Sequence, residues 1–182
     1  MKKNNTYKMV LCSLFATLTA ILTQIAIPIG PVPINLSTFV VFCAAALLGS
    51  KLGSLSLIIW VTLGIVGVPV FSMFRSGIGT LLGPTGGYII GYIPATFITG
   101  LLIEKFNNNK ALIYPITMLA GMLTYFVLGT AWFMFSTSTE LWDALMICVF
   151  PFIPGDLIKI LAATMVAKRV RPMLYSKNTV AS

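Results

Sequence analysis

The chain has 182 residues, of which 58% are hydrophobic and only 9% are charged, and its formal net charge is +8. A soluble domain carries about 25% charged residues, so this composition excludes a protein with an ordinary water-facing surface. Hydrocarbon tolerates such a mixture, and we therefore expect an all-α integral membrane protein. The basic residues cluster before the first apolar run and after the last, which favours anchoring of membrane topology over binding of nucleic acid.

Apolar runs of spanning length follow one another along the chain. A spanning helix needs about 20 apolar residues, so these runs predict six transmembrane helices in one domain covering residues 1–182, near 9–27, 35–49, 54–70, 87–104, 112–135 and 143–168. The breaks between them contain helix-terminating residues, among them Pro28 and Pro33, Gly49 and Gly53, Gly77 to Gly86, Asn107 to Asn109, and Ser136 to Thr139. The first run is longer than the apolar region of a typical cleaved signal peptide, and further spans follow it.

The positions of the lysines and arginines predict an orientation in the cell membrane. Six spans place both termini on one side, and that side holds ten of the twelve basic residues, whereas the opposite side holds only Arg75 and one predicted span holds Lys159. Lys and Arg favour the cytoplasmic side, so we expect both termini to be cytoplasmic. The external loops are long and rich in Gly, Pro and Ser, and we expect a pocket on that face.

The last predicted span contains two ionisable residues, Asp156 and Lys159. Their i, i+3 spacing places both on one helix face, and Pro154 predicts an interruption of the helix just before them. The helical rise places them about 18 and 13 Å from Lys168, near the midplane of a hydrocarbon core about 30 Å thick. Two interpretations stay open at this point: a self-satisfied ion pair that locks the helix to its neighbours, or a pocket pair that clasps a neutral polar group such as a urea.

A glycine-rich segment at 71–88 follows the third predicted span. It lacks the Gly-Lys-Ser/Thr of a phosphate-binding loop and so gives no support to nucleotide binding. Its turn chemistry, and the close backbone approach that Gly86 and Gly87 allow, predict an external lid, with a mere tight connection as the alternative. Arg75 in this segment either meets the carboxylate of an incoming anion or is a solvated loop residue.

Two weaker patterns complete the set of candidate functional residues. Ala16 and Ala20 form a small-residue pair on the first helix, of the kind that lets helices approach closely. Five aromatic residues either line a pocket or lie at the membrane interface: Trp60, Tyr88, Tyr92, Tyr125 and Trp132.

Four segments resemble the BioY family, the biotin-specific substrate-binding components (S components) of energy-coupling factor (ECF) transporters. In chain order they read Pro-Val-Pro-Ile-Asn-Leu-Ser-Thr at 31–38, Gly-Val-Pro-Val-Phe at 67–71, Gly-Pro-Thr-Gly-Gly-Tyr at 83–88 and Pro-Gly-Asp-Leu-Ile-Lys at 154–159. The resemblance implies the six-helix ECF S-component fold. It also implies that the protein binds biotin from outside and delivers it with a transmembrane coupling subunit and two ABC-type ATPase subunits. Those partners use the ATP, and no cofactor is expected in this chain.

The resemblance also implies roles for individual residues. In the family, the Asp and Lys of the last segment contact the ureido ring of biotin, and an Ala-x-x-x-Ala pattern on the first helix docks on the coupling subunit, here Ala16 and Ala20. The expected substrate-binding residues are Ser37, Ser72, Arg75, Thr85, Gly86, Gly87, Tyr88, Asp156 and Lys159. The chain departs from the family in two places. Asn-Leu-Ser-Thr at 35–38 replaces Thr-Leu-Gln-Thr, and bulkier residues at 73–76 replace small ones, so the family implies no role for Arg75.

Three other functions compete with this interpretation. Another vitamin, such as thiamine or riboflavin, is the alternative substrate, because the same fold would serve it. An intramembrane enzyme is disfavoured because the chain has no histidine and only Asp156 as a fully intramembrane carboxylate. A channel would need rings of polar residues along its length, and the sequence shows one polar cluster.

Overall fold

The computed structural model describes residues 2–28, 30–106 and 112–179, and this part of the chain is almost entirely helical. Its α-helices are α1 (Lys2–Thr23), α2 (Ser37–Ile65), α3 (Ile78–Leu82), α4 (Gly86–Lys105), α5 (Ile113–Thr137), α6 (Leu141–Cys148) and α7 (Ile153–Thr179). Two short strands, β1 (Ala26–Ile27) and β2 (Ile34–Asn35), pair in antiparallel register between α1 and α2. A short 3-10 helix covers Ser72–Phe74.

Helix α2 is a hairpin of two arms, 37–48 and 50–65, joined at Gly49. Gly49 has φ 80° and ψ −173°, a conformation that only glycine adopts without strain. A Cβ placed on Gly53 would lie 3.0 Å from the carbonyl oxygen of Ala44, whereas nine residues of straight helix would separate the two by about 13.5 Å. The second arm is capped by Glu104, whose carboxylate accepts hydrogen bonds from the backbone N–H of Ser50 at 2.7 Å and from its hydroxyl at 2.9 Å.

The structure corrects several of the predicted boundaries. The predicted break between the second and third spans is present at Gly49, but it is shorter than predicted, because the helix resumes at Ser50 after that single residue. The first helix ends at Thr23 rather than near residue 27, because residues 26 and 27 pair with β2. The last predicted span is divided into α6 and α7, which meet at 49°. The predicted break at Asn107 to Asn109 lies outside the described residues.

When each helix is counted once, the described residues contain fewer apolar spans than the six predicted. Four helices are long and apolar enough to cross a membrane, or five if α6 and α7 form one bent span. The difference from six arises because α2 counts as one helix although its two arms run in opposite directions. The fold is thus an all-helical bundle of apolar spans.

Helix α4 lies at the centre of the bundle and packs against both arms of α2 and against α5. Small residues permit these contacts: a Cβ on Gly121 would collide with Thr99, and one on Gly100 would lie 2.5 Å from the backbone nitrogen of Ser50. The Gly49 bend, the end of α4, the start of α5 and the end of α7 form one end of the bundle, where Arg171 contacts Tyr114. The opposite end carries β1, β2, the 3-10 helix, α3 and α6.

Candidate substrate-binding site

A cavity opens at the end of the bundle that carries the two strands and the 3-10 helix. Together with its open mouth, the cavity encloses about 670 Å³. Most of its wall is apolar or aromatic, formed by residues of α2, α4, α5 and the intervening loops: Val32, Trp60, Phe71, Ile89, Phe126 and Phe152. Such a wall suits a ligand with a substantial hydrocarbon portion.

Asp156 and Lys159 lie in this wall and form a closed hydrogen-bonded cluster. The Lys159 ammonium donates to Asp156 Oδ1 at 2.8 Å and to Thr38 Oγ1 at 3.0 Å, and the Thr38 hydroxyl donates to the same carboxylate oxygen at 2.9 Å. Tyr125 donates its phenolic proton to Asp156 Oδ2 at 2.5 Å. Asp156 is 1% exposed and Lys159 is 8% exposed. Both carboxylate oxygens are therefore satisfied within the protein.

The geometry combines the two interpretations that the sequence left open. The pair is an ion pair that ties α7 to α2 and α5, and it also lines the cavity. An ammonium has three N–H groups, and two of those on Lys159 are engaged by residues of the described chain. The remaining N–H and the carboxylate lone pairs supply a donor and acceptors side by side, which is the pattern that a cyclic urea requires.

Two positions of this cluster, Thr38 and Tyr125, were not expected from the sequence. Thr38 belongs to the segment at 31–38 that resembles the BioY family, and the pattern of aromatic residues allows Tyr125 either a pocket or an interfacial position. The sequence does indicate that a buried carboxylate needs hydrogen-bond donors from other segments. It does not identify those donors, because they depend on how α2 and α5 pack against α7.

A second polar cluster centres on Asn35, at the end of β2. Its amide N–H donates to Ser72 Oγ at 2.6 Å, and its carbonyl oxygen accepts from the backbone N–H of Ser37 at 3.0 Å and from the Ser37 hydroxyl. The Ser37 hydroxyl also lies 3.2 Å from Tyr92 OH. These residues all line the cavity. Ser37 and Ser72 therefore line the cavity, and Asn35, which the sequence does not identify as a site residue, joins them by hydrogen bonds.

Three other expected residues, Arg75, Thr85 and Tyr88, also line the cavity. Arg75 is exposed at the mouth, and its guanidinium has no hydrogen-bond or ion-pair partner within the described part of the chain. Tyr88 presents its ring to the cavity, while its hydroxyl lies 3.0 Å from Thr130 Oγ1 and donates to the carbonyl oxygen of Cys148 at 3.3 Å. The side chain thus closes one wall by tying α4 to α5 and α6.

The structure places Gly86 and Gly87 outside the residues that line the cavity. Both are buried against protein: a Cβ on Gly86 would collide with the backbone of Leu81, and one on Gly87 would collide with the side chain of Trp132. The close approach that their sequence suggested is therefore made to α3 and α5 rather than to the cavity. Trp132 in turn donates its indole N–H to the carbonyl oxygen of Gly83 at 3.0 Å.

The small-residue pair of α1 does not form an outward-facing surface. Ala16 is 2% exposed and packs in the core, and Ala20 is half-buried. The outward face at this level carries Ser13, Thr17 and, one turn further, Ile21. The two hydroxyls are satisfied along the helix, because Ser13 donates to the carbonyl oxygen of Met9 at 3.0 Å and Thr17 to that of Ser13 at 2.9 Å.

The buried ion pair makes a specific prediction about stability without any ligand. Lys159→Met leaves the Asp156 charge without its cation, which should cost about 3–5 kcal/mol in the free energy of unfolding. The double variant Asp156→Asn/Lys159→Met removes both charges and should recover most of that loss. Lys168→Met, at an exposed position of the same helix, is the matched control. Chemical unfolding in detergent measures all three, and equal stability of the single variant and the control would contradict the cluster.

Comparison with known proteins identifies the family of this chain. The family model described as the BioY family matches residues 1–176. A probable biotin transporter BioY of Pyrococcus horikoshii is 40% identical over 161 residues, covering 88% of this chain and 94% of the relative. The biotin transporter BioY of Thermotoga maritima is 36% identical over 166 residues, covering 91% and 96%.

A solved structure has the same fold. It is the crystal structure, at 2.1 Å, of the S-component for biotin from an ECF-type ABC transporter, with a TM-score of 0.88 and 28% sequence identity, and the match covers 94% of each chain. The family match extends over nearly all of the sequence, and relatives above 30% identity cover most of its length. This chain therefore belongs to the BioY family.

Proposed function

We propose that this protein is the substrate-binding subunit of a biotin uptake transporter. The observation that carries the proposal is the buried Asp156–Lys159 pair, which lines the cavity of a chain that belongs to the BioY family. Its relatives are named biotin transporters, and the solved structure that it resembles is an S-component for biotin. A member of such a family is a component of a transporter rather than an enzyme.

In this proposal the bicyclic head of biotin enters the deep part of the cavity. The ureido oxygen accepts from the Lys159 ammonium, and a ureido N–H donates to the Asp156 carboxylate. The aromatic walls, including Trp60 and Phe126, cover the sulfur-containing ring. The acid chain points to the mouth, where the guanidinium of Arg75, which no described residue engages in a hydrogen bond or ion pair, is suited to a carboxylate. The ligand is bound whole and is not chemically altered.

Biotin titration of the purified protein tests this assignment. Hydrogen bonds to charged groups contribute about 1.5–3 kcal/mol, so Asp156→Asn and Lys159→Ala should each weaken binding about 10- to 100-fold in calorimetry. Asp143→Asn, at an exposed carboxylate on α6 outside the cavity wall, is the matched control and should bind like the wild type.

The same experiment separates biotin from the alternative vitamins. Thiamine and riboflavin, run as a thermal-shift panel beside biotin, should leave the unfolding temperature unchanged, whereas biotin raises it by mass action. Stabilisation by either of these vitamins with none by biotin would overturn the substrate. Wild-type affinity in both Asp156 and Lys159 variants would overturn the site.

We also propose six membrane crossings in a single domain of residues 1–182, with both termini in the cytoplasm. The two arms of α2 supply the additional crossing, and α6 with α7 forms one broken span. Basic residues of α2, α4 and α7, such as Lys51, Lys105 and Arg171, lie at the end of the bundle opposite the cavity. That segregation supports a cytoplasmic location of this end and an external location of the cavity mouth.

The proposed partners are a transmembrane coupling subunit and a pair of ABC-type ATPases, consistent with the ECF-type transporter to which the solved S-component belongs. The docking surface is assigned to the outward face of α1 at Ser13 and Thr17, because Ala16 is buried inside the bundle. Small side chains whose hydroxyls are satisfied along their own helix let a second helix approach closely in lipid.

A bulky residue on this face should prevent assembly without affecting the ligand. Thr17→Trp is expected to reduce recovery of the coupling subunit in co-purification by about tenfold or more, because a tryptophan holds the helices apart. Biotin affinity of the isolated subunit should remain that of the wild type. Thr62→Trp is the matched control, since Thr62 is also exposed and also bonds to the carbonyl four residues earlier. Normal assembly of Thr17→Trp, or equal loss in the control, would contradict the assignment.

A further inference from the structure

A short segment at residues 69–75, here called the strap, forms part of the cavity wall. Three of its residues, Phe71, Ser72 and Arg75, line the cavity. Its backbone closes on itself, because the N–H of Phe71 donates to the carbonyl oxygen of Arg75 at 3.0 Å. The position of the strap therefore determines the shape of this side of the cavity.

The strap holds an unfavourable backbone conformation. Met73 has φ 60° and Phe74 has φ 58°, so two consecutive residues with a Cβ occupy the left-handed region. L-residues other than glycine are disfavoured there, because the Cβ crowds the following carbonyl group. Both side chains are exposed, so burial of these side chains does not compensate the backbone. The hydrogen bond between Phe71 and Arg75 closes the turn around this pair, and bonds from outside the strap add to its support.

Gln24, just after the end of α1, provides such bonds with a single side chain. Its Oε1 accepts from the backbone N–H of Phe74 at 2.9 Å, and its Nε2 donates to the carbonyl oxygen of Pro69 at 3.3 Å. Nε2 also donates to the carbonyl oxygen of Ala20 at 3.2 Å, which anchors the side chain to α1. One amide thus joins both ends of the strap to a membrane helix, and it does so without lining the cavity.

Two other side-chain hydrogen bonds join the strap to other described segments, and neither involves Met73 or Phe74. The indole N–H of Trp60 donates to the carbonyl oxygen of Val70 at 3.0 Å, and Asn35 donates to the hydroxyl of Ser72. Within the described residues, the hydrogen bond from the N–H of Phe74 to Gln24 is the one that joins another segment to the left-handed pair. Its loss should therefore free residues 73–75 first.

We propose that Gln24 is a positioning residue that clips the strap closed over the cavity and so sets the rate at which the ligand escapes. This inference rests on the proposed biotin site, and it adds a residue that touches neither ligand nor cavity. Because Gln24 acts on the closed strap, its effect falls mainly on dissociation. The strain at Met73 and Phe74 favours opening once the clip is lost.

The test compares biotin dissociation rates of purified variants. Gln24→Met keeps the length of the side chain and loses its three hydrogen bonds, and biotin should leave about tenfold faster. Gln24→Glu keeps the acceptor for Phe74 and loses both donors, and it should give an intermediate rate. Phe74→Gly removes the left-handed penalty, so it should slow escape in the Gln24→Met background. If Gln24 only stabilised the fold, Phe74→Gly would not slow the dissociation of biotin in the Gln24→Met background.

A second measurement makes the inference independent of the ligand. Hydrogen exchange of the segment 70–76 should be faster in Gln24→Met than in the wild type without biotin, because the N–H of Phe74 loses its acceptor. Unchanged exchange and an unchanged dissociation rate would overturn the clip. Absence of biotin binding in the wild type would overturn the proposed function instead, and the exchange result would still decide whether Gln24 holds the strap.

Discussion

The structure depends on the burial of two opposite charges, those of Asp156 and Lys159, away from both water and lipid. The penalty for burying an ion is several kcal/mol even after relaxation, and it is offset only when the partner and the remaining hydrogen bonds are all in place. Thr38 and Tyr125 complete that set from two other helices. Helices α2, α5 and α7 must therefore converge at one point, so the polar cluster is a part of the core as well as a part of the cavity.

The hairpin of α2 makes this convergence compatible with a binding site. Because the chain turns back at Gly49, both ends of α2 come to the cavity, where Thr38 joins the charged cluster and its neighbour Ser37 joins Asn35. The rings of Tyr92 and Tyr125 meet edge to face, 5.4 Å apart, and connect the two clusters. The charged cluster is therefore connected through these two rings to the cluster of Asn35, whose amide bonds to Ser72 of the strap.

Much of this arrangement could be predicted from the sequence, for identifiable reasons. Apolar runs reveal membrane helices, and a charged pair within such a run stands out because it is costly, which is why Asp156 and Lys159 were found. The break at Gly49 was predicted to be too long, because composition does not distinguish a single non-helical residue from a short loop between two apolar segments. Gly86 and Gly87 were expected to contact the ligand because glycine permits a close approach. A glycine in a sequence does not indicate which group approaches it, and here the groups are Leu81 and Trp132. Ala16 faces inward because the rotation of α1 depends on its neighbours, which spacing alone does not specify.

A structure of the protein with bound biotin tests the proposed site most directly. We predict that the ureido oxygen lies within hydrogen-bond distance of Lys159 Nζ and a ureido nitrogen within that distance of the Asp156 carboxylate, with the acid group towards Arg75. Biotin in the reverse orientation, or an ion pair that keeps all its internal bonds and touches no part of the ligand, would contradict it.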